Sequence, residues 1–415
     1  MSQDFARAPA LSSLEVALGL AVGLDKTVVP LRSVRGKAQK PVEALEAVLL
    51  RALERPPCLV SFSGGRDSSG LLAVAARVAR DRGLDLPVPA TLVFPGDEAA
   101  AEDEWQVAVL RELQLPDWQR FEISPGELDA VGPYATKALV RHGLLWPPNT
   151  HFHFPIIEKA SGGTVVTGFG GDEIARASAS ARAERLLARQ QRESFMSTIA
   201  AVGFAFAPTW VRELVFERRS LVEVPWLTPV GRRAAREQDA HDDASVPFGF
   251  DRKLCDWVCR SRYFAVCQGS LSALAAGCDV ELVSPFVARE VLVALAARGG
   301  IPGFGEREDF VRALFGGVLP PATITRRSKA TFNGGLWTAT ALEFAREWSG
   351  EGVDHSLVDA DSLRAHWLGG QPSAASATLL QEAWLREHSR AGATTEAGQI
   401  SGTPTLNNMI SRDIT

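Results

Sequence analysis

The sequence predicts an α/β protein: a doubly wound, mostly parallel sheet with helices on both faces, followed by a helical C-terminal half. Three observations predict it. Short apolar runs alternate with segments of period 3.6 up to about residue 174. Two of those runs end in glycine-rich turns that lead into helices. Beyond residue 174 the strand signal fades while amphipathic helical repeats continue.

The elements follow in order. Residues 1–39 form a short N-terminal extension. KPVEALEAVLLRALERPP (40–57) reads as an amphipathic helix with a proline stop. CLVSFSGG (58–65) is an apolar strand entering a glycine pair, and GLLAVAARVARDRG (70–83) is a helix closed by glycine. VPATLVFPG (88–96), WQRFEI (118–123) and GGTVVTGFGGDE (162–173) supply three further strands. Helices are expected over EDEWQVAVLRELQL (102–115) and around 125–142. LLWPPNTHFHFP (144–155) reads as a loop. The chain divides into an extension (1–39), an α/β core (40–180), a helical part (181–390) and a small-residue, polar tail (391–415) expected to be disordered.

Composition excludes several classes. The 415 residues are 46% hydrophobic and 22% charged, with net charge −5. That balance opposes general nucleic-acid binding, which needs a basic face to replace counterions. No apolar run approaches the ~20 residues that cross a bilayer, and no basic segment followed by an apolar one opens the chain. A cytoplasmic protein with neither a membrane nor a nucleic-acid partner is the expectation. Five cysteines are present, Cys58, Cys255, Cys259, Cys267 and Cys278. The odd number and the lack of a CxxC spacing favour buried reduced thiols over a disulfide framework or a metal cluster.

The first motif is SFSGGRDSSG (61–70). Its glycines, Gly64 and Gly65, allow close backbone approach to an anion. The helix that starts directly after offers unpaired N–H groups and a positive dipole end. Ser63, Ser68 and Ser69 add hydroxyl donors. This is a cradle for phosphate or pyrophosphate. Asp67 within it makes sense as a ligand of Mg²⁺ bridging to those phosphates. The pattern is neither GxxxxGK[ST] nor GxGxxG.

The second motif, TGFGGDE (167–173), ends another apolar run. Loops at the carboxyl ends of adjacent parallel strands share one crevice. Gly168, Gly170 and Gly171 would then lie beside the first loop, and Asp172 would face Asp67 to complete a Mg²⁺ shell.

Ser-Gly-Gly-x-Asp-Ser-Ser resembles the pyrophosphate loop of the Rossmann-like ATP pyrophosphatases. Paired with Gly-x-Gly-Gly-Asp it resembles the synthetase domain of asparagine synthetase and its relatives, which include β-lactam synthetases and lasso-peptide cyclases. The resemblance continues through Pro285-Phe286 to RRSKATF (326–332), so it spans roughly 40 to 340 in the family's order. It implies ATP and Mg²⁺ as cofactors, Asp67 and Asp172 as metal ligands, and adenylation of a substrate carboxylate with release of pyrophosphate. An amine then takes the acyl group and AMP leaves. The resemblance matches Lys329 to a lysine that stabilises charge on the phosphates. Lys329 is also the only lysine from residue 254 onward in a chain that otherwise uses arginine.

Three departures matter. About 40 residues precede the match and begin Met1-Ser2, where the family's glutaminase half would begin Met-Cys. Ammonia from glutamine is therefore not expected, and the amine comes from a substrate or a partner protein. Phe169 stands where relatives carry a Glu or Tyr that helps activate the amine, and phenylalanine transfers no proton. Glu104, Glu173, His151 and His153 are the candidate bases, with Glu104 and Glu173 preferred. Finally, Val287 follows Pro285-Phe286 where an acid is usual.

The expected function is an AMP-forming amide ligase acting in peptide or natural-product tailoring, such as lasso-type macrocyclisation or carboxamide formation. The alternatives are a non-catalytic or partner-dependent subunit, or another ATP pyrophosphatase such as a tRNA-modifying enzyme.

Overall fold

The computed structural model describes residues 9–32, 39–95, 103–175, 202–219, 224–326 and 333–400. Five parallel strands form one sheet: β1 (Cys58–Ser61), β2 (Val88–Val93), β3 (Gln119–Glu122), β4 (Thr164–Val166) and β5 (Glu281–Val283), in the order β3-β2-β1-β4-β5. The central strands are short and mostly apolar because both faces are covered, so no alternation of polar and apolar residues is required. Leu59 of β1 pairs with Val88 on one side and Val165 on the other.

The order reverses between β1 and β4. From β1 the chain winds outward through β2 and β3, then returns to the other side for β4 and β5. In an open α/β sheet such a switch point leaves a crevice outside the strands' carboxyl ends. Both glycine-rich motifs follow strands that flank it.

Helices α1 (Ser13–Leu18), α2 (Pro41–Leu53), α3 (Arg66–Arg82), α4 (Asp103–Leu113), α5 (Pro133–His142), α6 (Phe154–Lys159) and α7 (Gly171–Ala175) accompany this sheet. The later helices of nine or more residues are α8 (Thr209–Arg219), α9 (Pro229–Ser245), α10 (Arg262–Ala276), α11 (Arg289–Gly299), α12 (Arg307–Phe315), α13 (Ala339–Glu347), α14 (Ala360–Leu368) and α15 (Ala377–Ile400). One sheet face is covered by Leu45 and Leu49 of α2, Leu71 and Val74 of α3, Leu292 of α11 and Phe315 of α12. The other is covered by Ala138 of α5, Ile156 and Ile157 of α6 and Leu274 of α10. A third core joins Phe152 to Trp226, Trp348, Trp367 and Leu380.

Two sequence expectations change. The helical part contains a strand, β5, whose three residues are too short to show a period. The tail read as disordered from 391 begins inside α15, which runs to Ile400; residues 401–415 lie outside the described residues. The N-terminal extension is woven into the fold. Ser12 and Glu15 form a capping box on α1, the Ala17 carbonyl accepts the Trp226 indole N–H at 2.8 Å, and buried Glu15 pairs with Arg262 at 2.7 Å. Burial by itself would raise the Glu15 carboxyl; the Arg262 hydrogen bond and the Ser12 and Val22 amides bring it below its ordinary value.

Candidate active site

The crevice at the switch point encloses about 540 Å³. Its floor is the loop after β1. There the Ser63 N–H donates to Ser68 Oγ (3.3 Å), Ser68 Oγ donates to the Gly65 carbonyl (3.1 Å), and the Gly65 N–H donates to Ser63 Oγ (3.3 Å). Gly64 takes φ +77°, a value that L side chains avoid, and this bends the strand into the helix. Helix α3 then starts at Arg66 with its first-turn N–H groups unpaired within the helix and aimed at the crevice.

The second wall is the loop after β4. Thr167 anchors it through its N–H to the Val283 carbonyl (2.9 Å) and through its hydroxyl to Ser284 (3.0 Å). Gly170 bends at φ +92°. A Cβ on Gly171 would stand 2.6 Å from Asp67 Oδ2, so only glycine lets the two loops close to this distance. Asp172 opens α7 and is half-exposed, whereas Asp67 is nearly enclosed.

Of the candidate residues, Ser63, Gly65, Asp67, Ser68, Gly168, Asp172 and Glu173 line one crevice. Gly64, Gly170 and Gly171 shape its two loops from behind. Ser69 is fully buried below the floor, and its hydroxyl has no partner among the described residues. Glu104 is exposed in the first turn of α4 and is not among the residues lining the crevice. Lys329 lies outside the described residues. Arg326, three residues before it, donates to the Gly64 carbonyl at 2.8 Å and lies over Trp105, which brings the first residue of RRSK onto the loop after β1.

The HFHF segment is a short helical turn running into α6, not a loop. His151 is buried and its Nε2 lies 3.1 Å from the Leu128 carbonyl. His153 lines the crevice. Burial pushes each imidazole down to about 4, against backbone hydrogen bonds that raise His151 in part. Both are neutral at pH 7. A folded-state value below the unfolded one means that the unfolded chain takes up the proton first. Stability is then complete above about pH 6.5 and falls as pH drops toward 4. His151→Gln, whose amide can still donate to Leu128, is expected to flatten the loss between pH 7 and pH 5 by about 1–2 kcal/mol. Urea unfolding at the two pH values measures this; equal losses in both proteins would remove His151 as the source.

Three crevice residues escaped the sequence reading. Tyr263 of α10 donates its hydroxyl to Glu173 Oε1 at 3.0 Å and stacks on Phe169. It is one of two tyrosines in the chain, the one signal that might have been noticed. Asn149 is a second such residue in the lining. Arg307, the first residue of α12, places Nη2 on both Asp67 carboxylate oxygens and 3.2 Å from Asp172 Oδ1. Arginine is too common here for it to have stood out.

Convergent Asp67 and Asp172 fit a Mg²⁺ that draws its remaining oxygens from phosphate and water. Among the described residues no group of three His, Cys, Asp or Glu is placed to hold a metal through protein ligands alone. The five cysteines are all free, with Cys58, Cys255 and Cys267 buried. No helix of the described residues is long and apolar enough to cross a membrane.

No match was found among curated proteins. The asparagine synthase family model matches residues 44–393, which include both loops, the Pro285-Phe286 turn and the RRSK segment. The order of motifs, the parallel sheet and the shared crevice agree with that match, and the chain belongs to the asparagine synthase family of ATP-dependent carbon–nitrogen ligases.

Proposed function

We propose that the crevice adenylates a substrate carboxylate with ATP and passes the acyl group to an amine, giving an amide, AMP and pyrophosphate. The observation that carries this is the meeting of Asp67 and Asp172 over the N-terminus of α3. The Ser63–Ser68 loop and the first N–H groups of α3 bind the phosphates. Asp67 and Asp172 would hold Mg²⁺, which when bound would offset charge on the phosphates. A carboxylate oxygen of the substrate attacks the α-phosphorus, and the bond to the β-phosphate oxygen breaks. Lys329, three residues after Arg326 in the sequence, supplies a compact positive charge to that leaving group.

The amine nitrogen then attacks the acyl carbon, AMP departs, and the nitrogen loses a proton. Phe169 cannot take it. Glu173 is the base, and the Tyr263 hydroxyl fixes the Glu173 carboxylate within reach of the crevice. Beyond the charged floor the wall is Phe169, Leu271, Pro147 and Tyr263. That apolar surface suits a carboxylate borne on a peptide or natural product, with macrocyclisation or carboxamide formation as the outcome. No tryptophan lines it; Trp146, Trp226, Trp348 and Trp367 are core residues.

Calorimetry with an ATP analogue blocked at the α,β bridge tests the reading. Micromolar binding that requires Mg²⁺ is expected in the wild type and lost in Asp172→Asn. Absence of binding in the wild type would transfer the fold to a non-catalytic role.

A further inference from the structure

Arg307 holds the crevice in an uneven way. A guanidinium carries five N–H donors in a planar fork. Here Nη2 alone meets both aspartates, touching Asp67 Oδ1 and Oδ2 and reaching Asp172 Oδ1 at 3.2 Å. Nε and Nη1 are buried and donate to nothing among the described residues. A static clamp between two carboxylates would spread its donors over both, since buried donors left unpaired cost free energy. The fork instead offers one nitrogen and keeps the rest unused.

Its mounting allows another position. Arg307 begins α12, directly after a turn in which Gly303 and Gly305 take φ +72° and +83°. The guanidinium carbon lies 5.1 Å from the centre of the Phe310 ring, an apolar surface along which a planar cation can slide. The Ser63–Ser68 loop lies across the same crevice.

We propose that Arg307 is an exchangeable counter-cation: it competes with a divalent cation for Asp67 and Asp172, and once displaced it binds the pyrophosphate leaving group. The inference rests on the reading that these aspartates take a divalent cation beside ATP. The guanidinium neutralises repulsion between the two carboxylates and keeps them converged. A divalent cation, with twice the charge, replaces it. The freed fork, with Nε and Nη1 already unpaired, matches two oxygens of one phosphate. The same residue thus prepares the metal seat and offsets the charge that develops as the bond to the β-phosphate breaks.

Two titrations on wild type, Arg307→Met and Arg307→Lys test it: Mn²⁺ alone by electron paramagnetic resonance, and pyrophosphate with Mg²⁺ by calorimetry. Loss of the competitor is expected to tighten Mn²⁺ binding at least about threefold in the Met variant. Loss of the fork is expected to weaken Mg²⁺-pyrophosphate about tenfold, the scale of a charge-assisted contact. The Lys variant, which keeps the charge but cannot fork, is expected to bind Mn²⁺ more tightly than wild type and to weaken pyrophosphate, though by less than the Met variant. Effects of one sign on both ligands, or on neither, identify a structural clamp and overturn the proposal. Should Arg307→Met fail to fold, unchanged Mn²⁺ affinity in Arg307→Lys overturns it equally. If wild type binds the α,β-blocked ATP analogue but the variants show no opposed shifts, only this inference falls. If wild type binds neither analogue, Mn²⁺ nor pyrophosphate, the nucleotide-site reading falls first and takes this one with it.

Discussion

Asp67→Asn is expected to slow AMP release from ATP, measured over a panel of amino-acid and peptide carboxylates, by at least about 100-fold. The physical argument is charge. An amide oxygen can still occupy the site, but it carries no net charge to hold a divalent cation, and metal stabilisation of phosphoryl charge is worth several kcal/mol. At about 1.4 kcal/mol per tenfold, two such factors give the stated loss. Asp67 is well enclosed at the start of a long buried helix, so the isosteric change leaves the packing of α3 intact. Circular dichroism and thermal unfolding should therefore match the wild type. A variant that turns over at the wild-type rate would remove Asp67 from the metal site. A variant that loses activity together with its fold would show that the Asp67–Arg307 pair is chiefly structural.

Phe286→Ala is expected to destabilise the protein by about 3–5 kcal/mol, the usual cost of emptying a buried phenylalanine site. The side chain is fully buried, and its ring meets Phe315 edge to face at 6.2 Å. It also lies directly behind the second loop: a Cβ placed on Gly171 would be 3.1 Å from its ring, and one on Gly170 would be 3.6 Å from its Cβ. The neighbouring ring, Phe315, presses on Gly70 so closely that a Cβ there would stand 2.5 Å away. Neither Pro285 nor Phe286 is among the crevice-lining residues. Their turn fills the space between α3, α7 and α12 that keeps Asp67, Asp172 and Arg307 together. Equilibrium urea unfolding measures the effect. A loss under about 1 kcal/mol would mean that the surrounding rings collapse into the gap and that the loops are held by something else.

The acid-limb prediction for His151 and the opposed titrations for Arg307 complete this set. They separate groups that serve the fold from groups that serve the crevice, a distinction the sequence drew poorly. His151 and His153 looked alike in HFHF. One is sealed against Leu128 and the other lines the site, because a short helical turn points neighbouring side chains in different directions. Glu104 and Glu173 were equal candidates, and the strand order parted them: Glu173 follows β4, which flanks the reversal, and lines the crevice, whereas Glu104 follows β2, one strand away from it, and does not.

What the sequence by itself determined was local. The run of apolar residues before Ser63 and before Thr167 dictates strands, glycines at 64 and 170 dictate the sharp exits, and the helix signal after Asp67 dictates a helix start directly behind the first of them. Each depends on residues adjacent in the chain, so each leaves a readable pattern. Only the tertiary structure decided what meets across long separations: Arg307 with Asp67 and Asp172, Tyr263 with Glu173, Arg326 with Gly64, Glu15 with Arg262. Such pairs have no spacing rule, and in an arginine-rich chain one more arginine is no signal. They are chosen by the reversal of strand order between β1 and β4, which opens one crevice and makes helices from the far half of the chain line it.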